Sequence, residues 1–371
     1  MPSYYLLRSR FRDVSARRPV IETLVSLREQ LDRDIPSKDA ESRLLLATWN
    51  IRDLGKTNRR GFGDRMVESF FYIAEVISRF DFVAIQEVNE IEEWEFIMDI
   101  LGPSWSYIAT DVTDPKLGGN GERLLYVYDR RKVQFKNIAG EIVLPADMLI
   151  SKVEVPDPND DERELVAGKQ FRRSPFLSSF QSNWFKFDIC TVHLYYGAAS
   201  GPKLQERIEE IERVAKYFGS RSETALRQNR ALILLGDFNI VHPEHETMTK
   251  LTDEGFVIPE PIKKPANIGG DKYYDQIAFK AKDEVVEFIN STSGNRPNGG
   301  VFELFESAYA LTDENVERYR AAMLETTNGR SAADLADYFK EWRTYQFSDH
   351  KPMWVSLHVN DSKNYLDSLT R

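Results

Sequence analysis

The sequence predicts an α/β protein built around one large sheet-containing core. Strand-like and helix-like segments alternate from residue 43 to a last strand-like run at residues 353–359. Apolar residues make up 42% of the 371-residue chain and are spread evenly, which is enough for one sizeable core. Several apolar runs end directly in polar residues. We therefore expect a group of polar side chains at one rim of a buried sheet.

Local patterns predict the elements of the first half. After a strand at residues 44–50, the segment 66–80 carries apolar residues at helical spacing, among them Phe70, Ile73 and Ile77, which predicts a helix. A strand at 81–85 precedes a helix at 91–101, which Gly102 and Pro103 end. Apolar runs rich in aromatic and β-branched residues predict strands at 105–109, 124–128 and 132–135.

The second half continues the alternation. Residues 156–164 are acidic and contain proline, which predicts an exposed loop. The runs 176–180 and 184–194, separated by three polar residues, predict a hairpin. Residues 204–218 predict a helix that Gly219 ends, and the wholly apolar run 231–235 suits a central strand. The last strand, 353–359, alternates apolar residues on one face.

Three segments depart from this alternation and define the predicted domain organisation. Residues 1–42 are an extension with a basic start and a helical stripe that includes Leu24, Leu27 and Leu31. Residues 43–360 form the main domain. A loop from Gly294 to Gly300 introduces a mostly helical insertion at about 300–343, which we interpret as lying between two strands. Residues 361–371 are a C-terminal tail.

Composition excludes several classes of protein. The chain has 49 basic and 59 acidic residues, a formal charge of −10, which argues against binding nucleic acid through bulk positive charge. A single cysteine, Cys190, excludes a disulfide framework and a cysteine-based zinc cluster, and its apolar surroundings predict that it is buried. No segment approaches membrane-spanning length. We expect a cytoplasmic protein, and the sequence leaves its protein partners open.

Polar signatures follow five of the strand-like runs. Together they provide oxygen ligands for a hard divalent ion, two of the five histidines, and carboxylates able to orient them. Each signature alone is typical of an ordinary turn or strand end, but five at strand ends indicate a metal-assisted phosphoester-cleaving site. The signatures are Trp49-Asn50, Gln86-Glu87, Val192-His193, Gly236-Asp237-Phe238-Asn239 and Ser348-Asp349-His350.

With Glu122-Arg123, Arg173-Ser174-Pro175 and Tyr274-Asp275-Gln276-Ile277 added, the order of these motifs resembles the endonuclease/exonuclease/phosphatase superfamily, whose type member is deoxyribonuclease I. The resemblance covers residues 43–359. It implies a four-layered α/β sandwich, in which two mixed β-sheets pack face to face with helices outside. It also implies a Mg²⁺ or Mn²⁺ ion at a site on one edge.

The resemblance assigns the metal and phosphate ligands position by position. Glu87 corresponds to the principal metal ligand, helped by Asn50 and Asp349. Asp237 and Asn239 correspond to residues that hold the phosphate and either the attacking water or a second ion. A phosphodiester is already anionic, so an attacking hydroxide is repelled unless positive charge is collected around the phosphate.

The resemblance also assigns the proton-transfer groups. His350, oriented by Asp275, resembles the base that activates water. His193, with Glu122 as its carboxylate partner, resembles the group that donates to the leaving oxygen or stabilises the phosphorane. Each imidazole needs a carboxylate because a bond at the second ring nitrogen sets its tautomer and orientation. Arg173 is expected to contact the substrate phosphate.

The sequence leaves the substrate open. Nucleic acid, DNA in particular, is favoured by basic loops at Lys56–Arg60 and at Lys169, Arg172 and Arg173. A phosphatase or phosphodiesterase acting on a small-molecule, lipid or inositol phosphate is the alternative, and a non-catalytic binding module is a third reading. Asn120 stands where nucleases similar to deoxyribonuclease I carry an aromatic residue, so a DNA-contacting ring is expected to be absent or supplied elsewhere.

Overall fold

Two mixed β-sheets pack face to face, and helices cover their outer surfaces. In this computed structural model the described residues are 2–56, 61–112, 121–157, 160–326 and 335–370. The first sheet has the strand order β14-β15-β1-β2-β4-β3, and the second has the order β11-β10-β9-β8-β5. The strands of the two sheets are β1 (Arg43–Leu54), β2 (Phe82–Val88), β3 (Trp105–Ala109), β4 (Arg123–Asp129), β5 (Gln134–Glu141), β8 (Phe176–Ser182), β9 (Phe185–His193), β10 (Arg230–Asp237), β11 (Asp275–Lys280), β14 (Gly299–Val301) and β15 (Met353–His358).

Two small antiparallel ribbons lie outside these sheets, β6 (Ile150–Asp157) with β7 (Asp160–Lys169) and β12 (Thr292–Ser293) with β13 (Arg296–Pro297). None of the described helices is long and apolar enough to cross a bilayer. The helices are α1 (Leu6–Arg10), α2 (Val14–Asp34), α3 (Val67–Ser78), α4 (Ile91–Leu101), α5 (Pro202–Gly219), α6 (Ser222–Arg227), α7 (Glu246–Thr252), α8 (Asp283–Asn290), α9 (Asp313–Arg318), α10 (Arg320–Thr326), α11 (Leu335–Gln346) and α12 (Ser362–Ser368).

The period-two alternation of β1 builds two cores. Leu44 and Leu46 point towards the second sheet, whereas Leu45, Ala47 and Trp49 belong to the core under the helices of the first sheet. Since both faces are covered, β1 is apolar almost throughout. The predicted four-layered α/β sandwich is confirmed.

Aromatic side chains and one hydroxyl fasten the two sheets together. The ring of Phe82 meets the ring of Phe180 edge-on, with centroids 4.8 Å apart. The Tyr126 hydroxyl donates to the Phe176 carbonyl at 2.5 Å and accepts from the Thr191 amide at 2.8 Å. Thr191 lies two residues before His193, so its buried hydrogen bond with Tyr126 holds the end of β9 against the first sheet.

The two segments predicted as additions pack into the outer core of the first sheet. Leu24, Leu27 and Leu31 of α2 are buried there, and so are Phe339 and Trp342 of α11. Cys190 is buried in β9 as expected. The domain boundaries stay predictions, because packing alone does not define where one unit of the chain ends.

Two loop predictions were wrong. The described residues of the segment 156–164 belong to the β6–β7 ribbon, whose main-chain pairing includes Pro156 with Glu164. The acidic composition and proline indicated a loop, but pairing between the two strands satisfies the main chain here. The Gly294–Gly300 segment likewise holds β13 and the start of β14, which pairs with β15 at the edge of the first sheet. Gly299 lies where β14 approaches β15 closely, since a Cβ there would be 3.1 Å from the Trp354 carbonyl oxygen.

Substitution of Gly236 tests the junction of β9 and β10. Gly236 has φ of 125°, and a Cβ there would lie 2.1 Å from the Val192 carbonyl oxygen. We expect Gly236→Ala to lower the free energy of unfolding by about 2–4 kcal/mol, because both the conformation and the contact are unfavourable for alanine. Urea denaturation measures this change. Gly140→Ala, where a Cβ meets nothing within 4 Å, is the matched control, and equal midpoints for the two variants would contradict the prediction.

Candidate active site

The ends of strands from both sheets deliver polar side chains to one rim. β1 and β2 are parallel, as are β9 and β10, so the carboxyl ends of each pair lie side by side. Asp237 is in register with His193 on one side and with Asp275 on the other. The residues that the structure brings together at this rim are Asn50, Glu87, Glu122, Arg173, His193, Asp237, Asn239, Asp275 and His350.

Glu87 is aimed into the rim by a local distortion of β2. Its φ of 64° is left-handed, and the register between β2 and β4 shifts between Ile85 and Val88. The Asp53 amide donates to Glu87 Oε2 at 2.8 Å, and Asn50 Nδ2 donates to Oε1 at 2.9 Å. Burial raises the pKa of Glu87, and the carboxylate of Glu122 adds to this rise while His193 opposes it.

Asn50 joins the two sheets at the site. Its Nδ2 also donates to Asp237 Oδ2 at 3.2 Å, and its Oδ1 accepts from the Arg52 amide at 2.9 Å. The carboxylates of Glu87 and Asp237 therefore share one amide group as a donor. Because Asp237 is buried and Glu87 is half-buried at this rim, a positive charge nearby would stabilise both carboxylates.

His193 lies between Glu122 and Asp237. Its Nδ1 is 2.6 Å from Glu122 Oε1, and its Nε2 is 3.5 Å from Asp237 Oδ2. Arg173 Nε is 2.5 Å from the same oxygen of Glu122. Burial and Arg173 act to lower the pKa of His193, but Glu122 and Asp237 raise it above its ordinary value. The predicted pairing of Glu122 with His193 is present in the geometry.

His350 occupies the other side of Asp237. Its Nδ1 is hydrogen-bonded to Asp275 Oδ2 at 2.7 Å, and its Nε2 is 3.8 Å from Asp237 Oδ2. Burial acts to lower the pKa of His350, but Asp275 and Asp237 raise it well above its ordinary value. Both imidazoles therefore direct Nε2 towards one oxygen of Asp237, while a separate carboxylate faces each Nδ1.

Asn239 is held in a left-handed conformation, with φ of 55°. Its amide donates to Asp237 Oδ1 at 2.9 Å, and its Nδ2 donates to the Leu194 carbonyl at 2.8 Å. Arg207, fully buried in α5, donates from Nη1 to the Asn239 carbonyl at 3.0 Å. Sequence reasoning missed Arg207. The available signal was an arginine one turn before Ile211, on the buried face of a predicted helix.

Asp349 reaches the rim through Arg52, another residue that sequence reasoning missed. Arg52 Nη1 is 3.2 Å from Asp349 Oδ2 and also contacts Thr344 Oγ1, and its guanidinium lies 3.7 Å from the Tyr345 ring centroid. Asp349 adds to the raised pKa of Glu87, so its charge is felt in the site. Thr344 and Tyr345, at the end of α11, thus hold Arg52, which forms the ion pair with Asp349.

The donor atoms fit a hard divalent cation. Among the described residues, Glu87, Glu122 and His193 bring three donor atoms within 4.8 Å of one another. This group shares only Glu87 with the predicted set of Asn50, Glu87 and Asp349. Oxygen donors predominate in both sets, which suits Mg²⁺ or Mn²⁺. Glu122 already faces His193 and Arg173, so we assign it to orienting the imidazole.

The described cations of the basic loops expected near the rim are paired with carboxylates. Glu206 accepts from Arg172 at 2.9 Å and from Lys169 at 3.3 Å. Lys56 lies 2.5 Å from Asp53, and residues 57–60 and Asn120 lie outside the described part of the chain. Arg173 uses Nε on Glu122 and Nη1 on the His193 carbonyl, at 3.1 Å. Its contact with substrate phosphate stays a prediction.

Comparison with known proteins gives one curated relative. A protein named deoxyribonuclease, from Thioalkalivibrio sp. (strain K90mix), is 28% identical over 209 residues, which are 55% of this chain and 48% of the relative. The chain thus matches about half the length of that protein. No family model matches the chain.

The chain resembles the endonuclease/exonuclease/phosphatase superfamily. The resemblance drawn from the motifs is confirmed: the deoxyribonuclease relative and the two packed mixed sheets both agree with it. Solved structures similar to the chain include a protein of this superfamily from Bacteroides thetaiotaomicron, at 18% identity and a TM-score of 0.48 over 86% of this chain and 99% of that one. A mannosyl-6-phosphatase from the same species is 17% identical, with a TM-score of 0.46 over 85% of this chain and 99% of that one. TDP2 of D. rerio complexed with a single-strand DNA product is 12% identical, with a TM-score of 0.46 over 85% of this chain and 98% of that one.

The His193–Glu122 pair makes a prediction that does not depend on activity. Removing the Glu122 charge by Glu122→Gln is expected to lower the pKa of His193, since that carboxylate favours the imidazolium. Titration of the His193 ring by NMR measures the change. Glu206→Gln, which removes a carboxylate from the neighbouring arginine, is the matched control. A His193 pKa that is the same in wild type and Glu122→Gln would show that the pair does not set the protonation of the ring.

Proposed function

We propose that this chain is a divalent-metal-dependent phosphodiesterase that hydrolyses nucleic acid, DNA in the first instance, by in-line attack of water on phosphorus. One observation carries the proposal: His193 Nε2 and His350 Nε2 lie 3.5 and 3.8 Å from the same oxygen of Asp237. Two imidazoles, each with its own carboxylate, therefore face one point from different sides. This is the arrangement that a reaction needs when one oxygen loses a proton as another gains one.

The proposed roles follow from which atoms face that point. Water attacks phosphorus as its proton passes to the base, His350, whose Nδ1 is held by Asp275. His350 accepts this proton only in its neutral form, which the raised pKa from Asp275 and Asp237 disfavours at low pH. The bond from phosphorus to the leaving oxygen breaks, and His193 gives that oxygen a proton. Glu122 keeps His193 oriented and favours its protonated form. Asn239 and Asp237 position the phosphate and the water.

The metal belongs to this proposal because the rim is rich in anions. Glu87, Asn50 and Asp349 are the residues proposed to hold it, and an ion there supplies the positive charge that an anionic diester needs as charge develops on it. Asn50 binds through oxygen only if its amide turns, since Oδ1 now accepts from the Arg52 amide. We therefore rank Glu87 above Asn50 as the ligand on which affinity depends.

DNA is proposed as the substrate because the curated relative is named a deoxyribonuclease. A specific observation favours the alternative of a small phosphoester. The chain has a formal charge of −10, and the rim cations Lys169, Arg172 and Arg173 are paired with carboxylates. For these three described cations, pairing weakens the attraction to a long polyanion. A cytoplasmic location also stays a proposal, based on the single buried cysteine.

Replacement of the two histidines tests the proposed chemistry. We expect His193→Ala and His350→Ala each to lower turnover by about 100-fold or more with substrate binding largely kept, because each removes a proton-transfer group. Rates are measured with Mg²⁺ or Mn²⁺ on circular DNA, linear DNA, single-stranded DNA, RNA, and monoester and diester reporters. His358→Ala, which changes an exposed ring in β15, is the matched control.

The outcomes of this panel separate the alternatives. Hydrolysis of DNA by wild type, lost in both variants, supports the nuclease. Preference for a monoester reporter with intact DNA supports the small-phosphoester alternative. Absence of turnover on every substrate, unchanged in His193→Ala, indicates a binding module. Full activity in His350→Ala rejects the role of His350 as base.

Metal binding provides a separate test. We expect Glu87→Gln to weaken Mn²⁺ binding by at least about tenfold, because it removes the charged ligand most deeply placed in the rim. Electron paramagnetic resonance of free Mn²⁺, or calorimetry, measures the affinity without any substrate. Glu92→Gln, on the exposed side of α4 five residues later, is the matched control. Equal affinities for wild type and Glu87→Gln would remove Glu87 from the metal site.

A further inference from the structure

Two tyrosines lie beside the proposed base. Tyr274 directly precedes Asp275, and its ring centroid is 5.7 Å from that of His350, with the planes tilted by 31°. The Tyr196 ring lies 6.3 Å from that of Tyr274, at an interplanar angle of 82°. Tyr196 is 41% exposed and Tyr274 is half-buried. An aromatic surface therefore continues from the base towards solvent.

Buried groups determine where these rings lie. The Tyr196 ring rests on the guanidinium of Arg207, 4.7 Å from its centroid, and Arg207 is fixed by the carbonyls of Asn239 and Ala198. The chain turns immediately after Tyr196 at Gly197, whose φ is 66° and where a Cβ would lie 2.6 Å from the Lys203 carbonyl oxygen. Rings placed this firmly bind a planar ligand at low entropic cost.

The backbone of Tyr274 is equally constrained. Its carbonyl accepts from the Phe238 amide at 2.8 Å, between Asp237 and Asn239. The aromatic surface is thus tied to the same loop that carries the phosphate-positioning residues. An aromatic pair that served only the core would be buried like Phe218 and Phe256, whose rings stack in the interior. Tyr196 instead keeps two fifths of its surface in solvent at the rim.

Two cations of the predicted basic loops are paired in the described part of the chain, Arg172 with Glu206 and Arg173 with Glu122. For these two residues the pairing weakens the attraction to a polyanion, so a contact that needs no charge gains importance. Stacking of a base on an aromatic ring needs no charge and accepts every base.

We propose that Tyr196 and Tyr274 form a stacking subsite for a nucleobase next to the phosphodiester that is cleaved. The substrate class is then a nucleic acid whose base is unpaired at that position, such as a single strand or a frayed end, because a base inside a duplex is already stacked and paired. The inference rests on the proposed function and extends it from the reaction to the form of the substrate.

The test uses a single-stranded oligonucleotide with one ordinary phosphodiester among phosphorothioates. It is made complete, or with one abasic residue on the 5′ or the 3′ side of that linkage. Tyr196→Ala and Tyr274→Ala are compared with wild type in kcat and KM. For the complete strand we expect kcat/KM to fall about tenfold in each variant, and Tyr196→Phe to keep the wild-type value, since stacking needs the ring and not the hydroxyl.

The abasic strands distinguish stacking from mere support of His350. The strand that lacks the stacked base is expected to be a poor substrate for wild type. Wild type and Tyr196→Ala should cleave this strand at the same rate, because neither reaction then includes the stacking contact. Tyr5→Ala, which removes an exposed tyrosine ring in the N-terminal segment, is the matched control. Urea midpoints of all variants verify that they are folded.

Each remaining outcome is decisive. If single strands are cleaved but Tyr196→Ala and Tyr274→Ala equal wild type on the complete strand, the subsite is overturned while the nuclease stands. The same holds if the loss is as large on both abasic strands as on the complete one, or if duplex is cleaved faster than single strand. If wild type cleaves no nucleic acid and does hydrolyse a monoester reporter, the proposed function fails, and the subsite fails with it.

Discussion

The site depends on one side-chain amide that spans the two sheets. Asn50, at the end of β1 in the first sheet, donates to Glu87 beside it and to Asp237 at the end of β10 in the second sheet. Without that donor, Glu87 would rely on the Asp53 amide, and Asp237 on the Asn239 amide and the two imidazoles. The position of this contact requires the two sheets to be packed in one relative register, so the large core and the small site are not independent.

Two further hydrogen bonds support the same register of the sheets. Gln86, next to Glu87, donates to Thr191 Oγ1 at 2.9 Å, and the Tyr126 hydroxyl accepts from the Thr191 amide. Thr191 lies two residues before His193, and so these bonds set the distance between the β2 and β9 ends. They are buried and therefore well protected from water. Glu87 and Asn239, at the strand ends that form the rim, both have left-handed backbones.

A buried arginine connects the helical insertion to this rim. Arg65 donates to the carbonyls of Gln346 and Phe347 at the end of α11, and to those of Ile51 and Arg52 after Asn50. The Ser348-Asp349-His350 segment follows directly after this end of α11. The Ser348 hydroxyl donates to the Asn50 carbonyl at 2.6 Å. The insertion therefore forms part of the support of Asp349 and His350.

The sequence alone determined the order of the elements and the chemistry of the site. Apolar periodicity is a local property, so the helix at Ile91–Leu101 and the strand at Trp105–Ala109 could be predicted to the residue. The pairing of His193 with Glu122 and of His350 with Asp275 came from motif order. The β6–β7 ribbon did not, because main-chain pairing at a surface leaves little trace in side-chain type.

Only the tertiary structure decided how far each charge is free to act. Arg173, Lys169 and Arg172 read as a basic rim, but Glu122 and Glu206 come from distant parts of the chain and neutralise them. Arg52, Arg65 and Arg207 belong to none of the sequence motifs, yet their hydrogen bonds and ion pairs hold the groups around the site in place. The interaction between two charges depends on the distance between them in the folded chain, and residues that are far apart in sequence can lie within a few ångströms of each other.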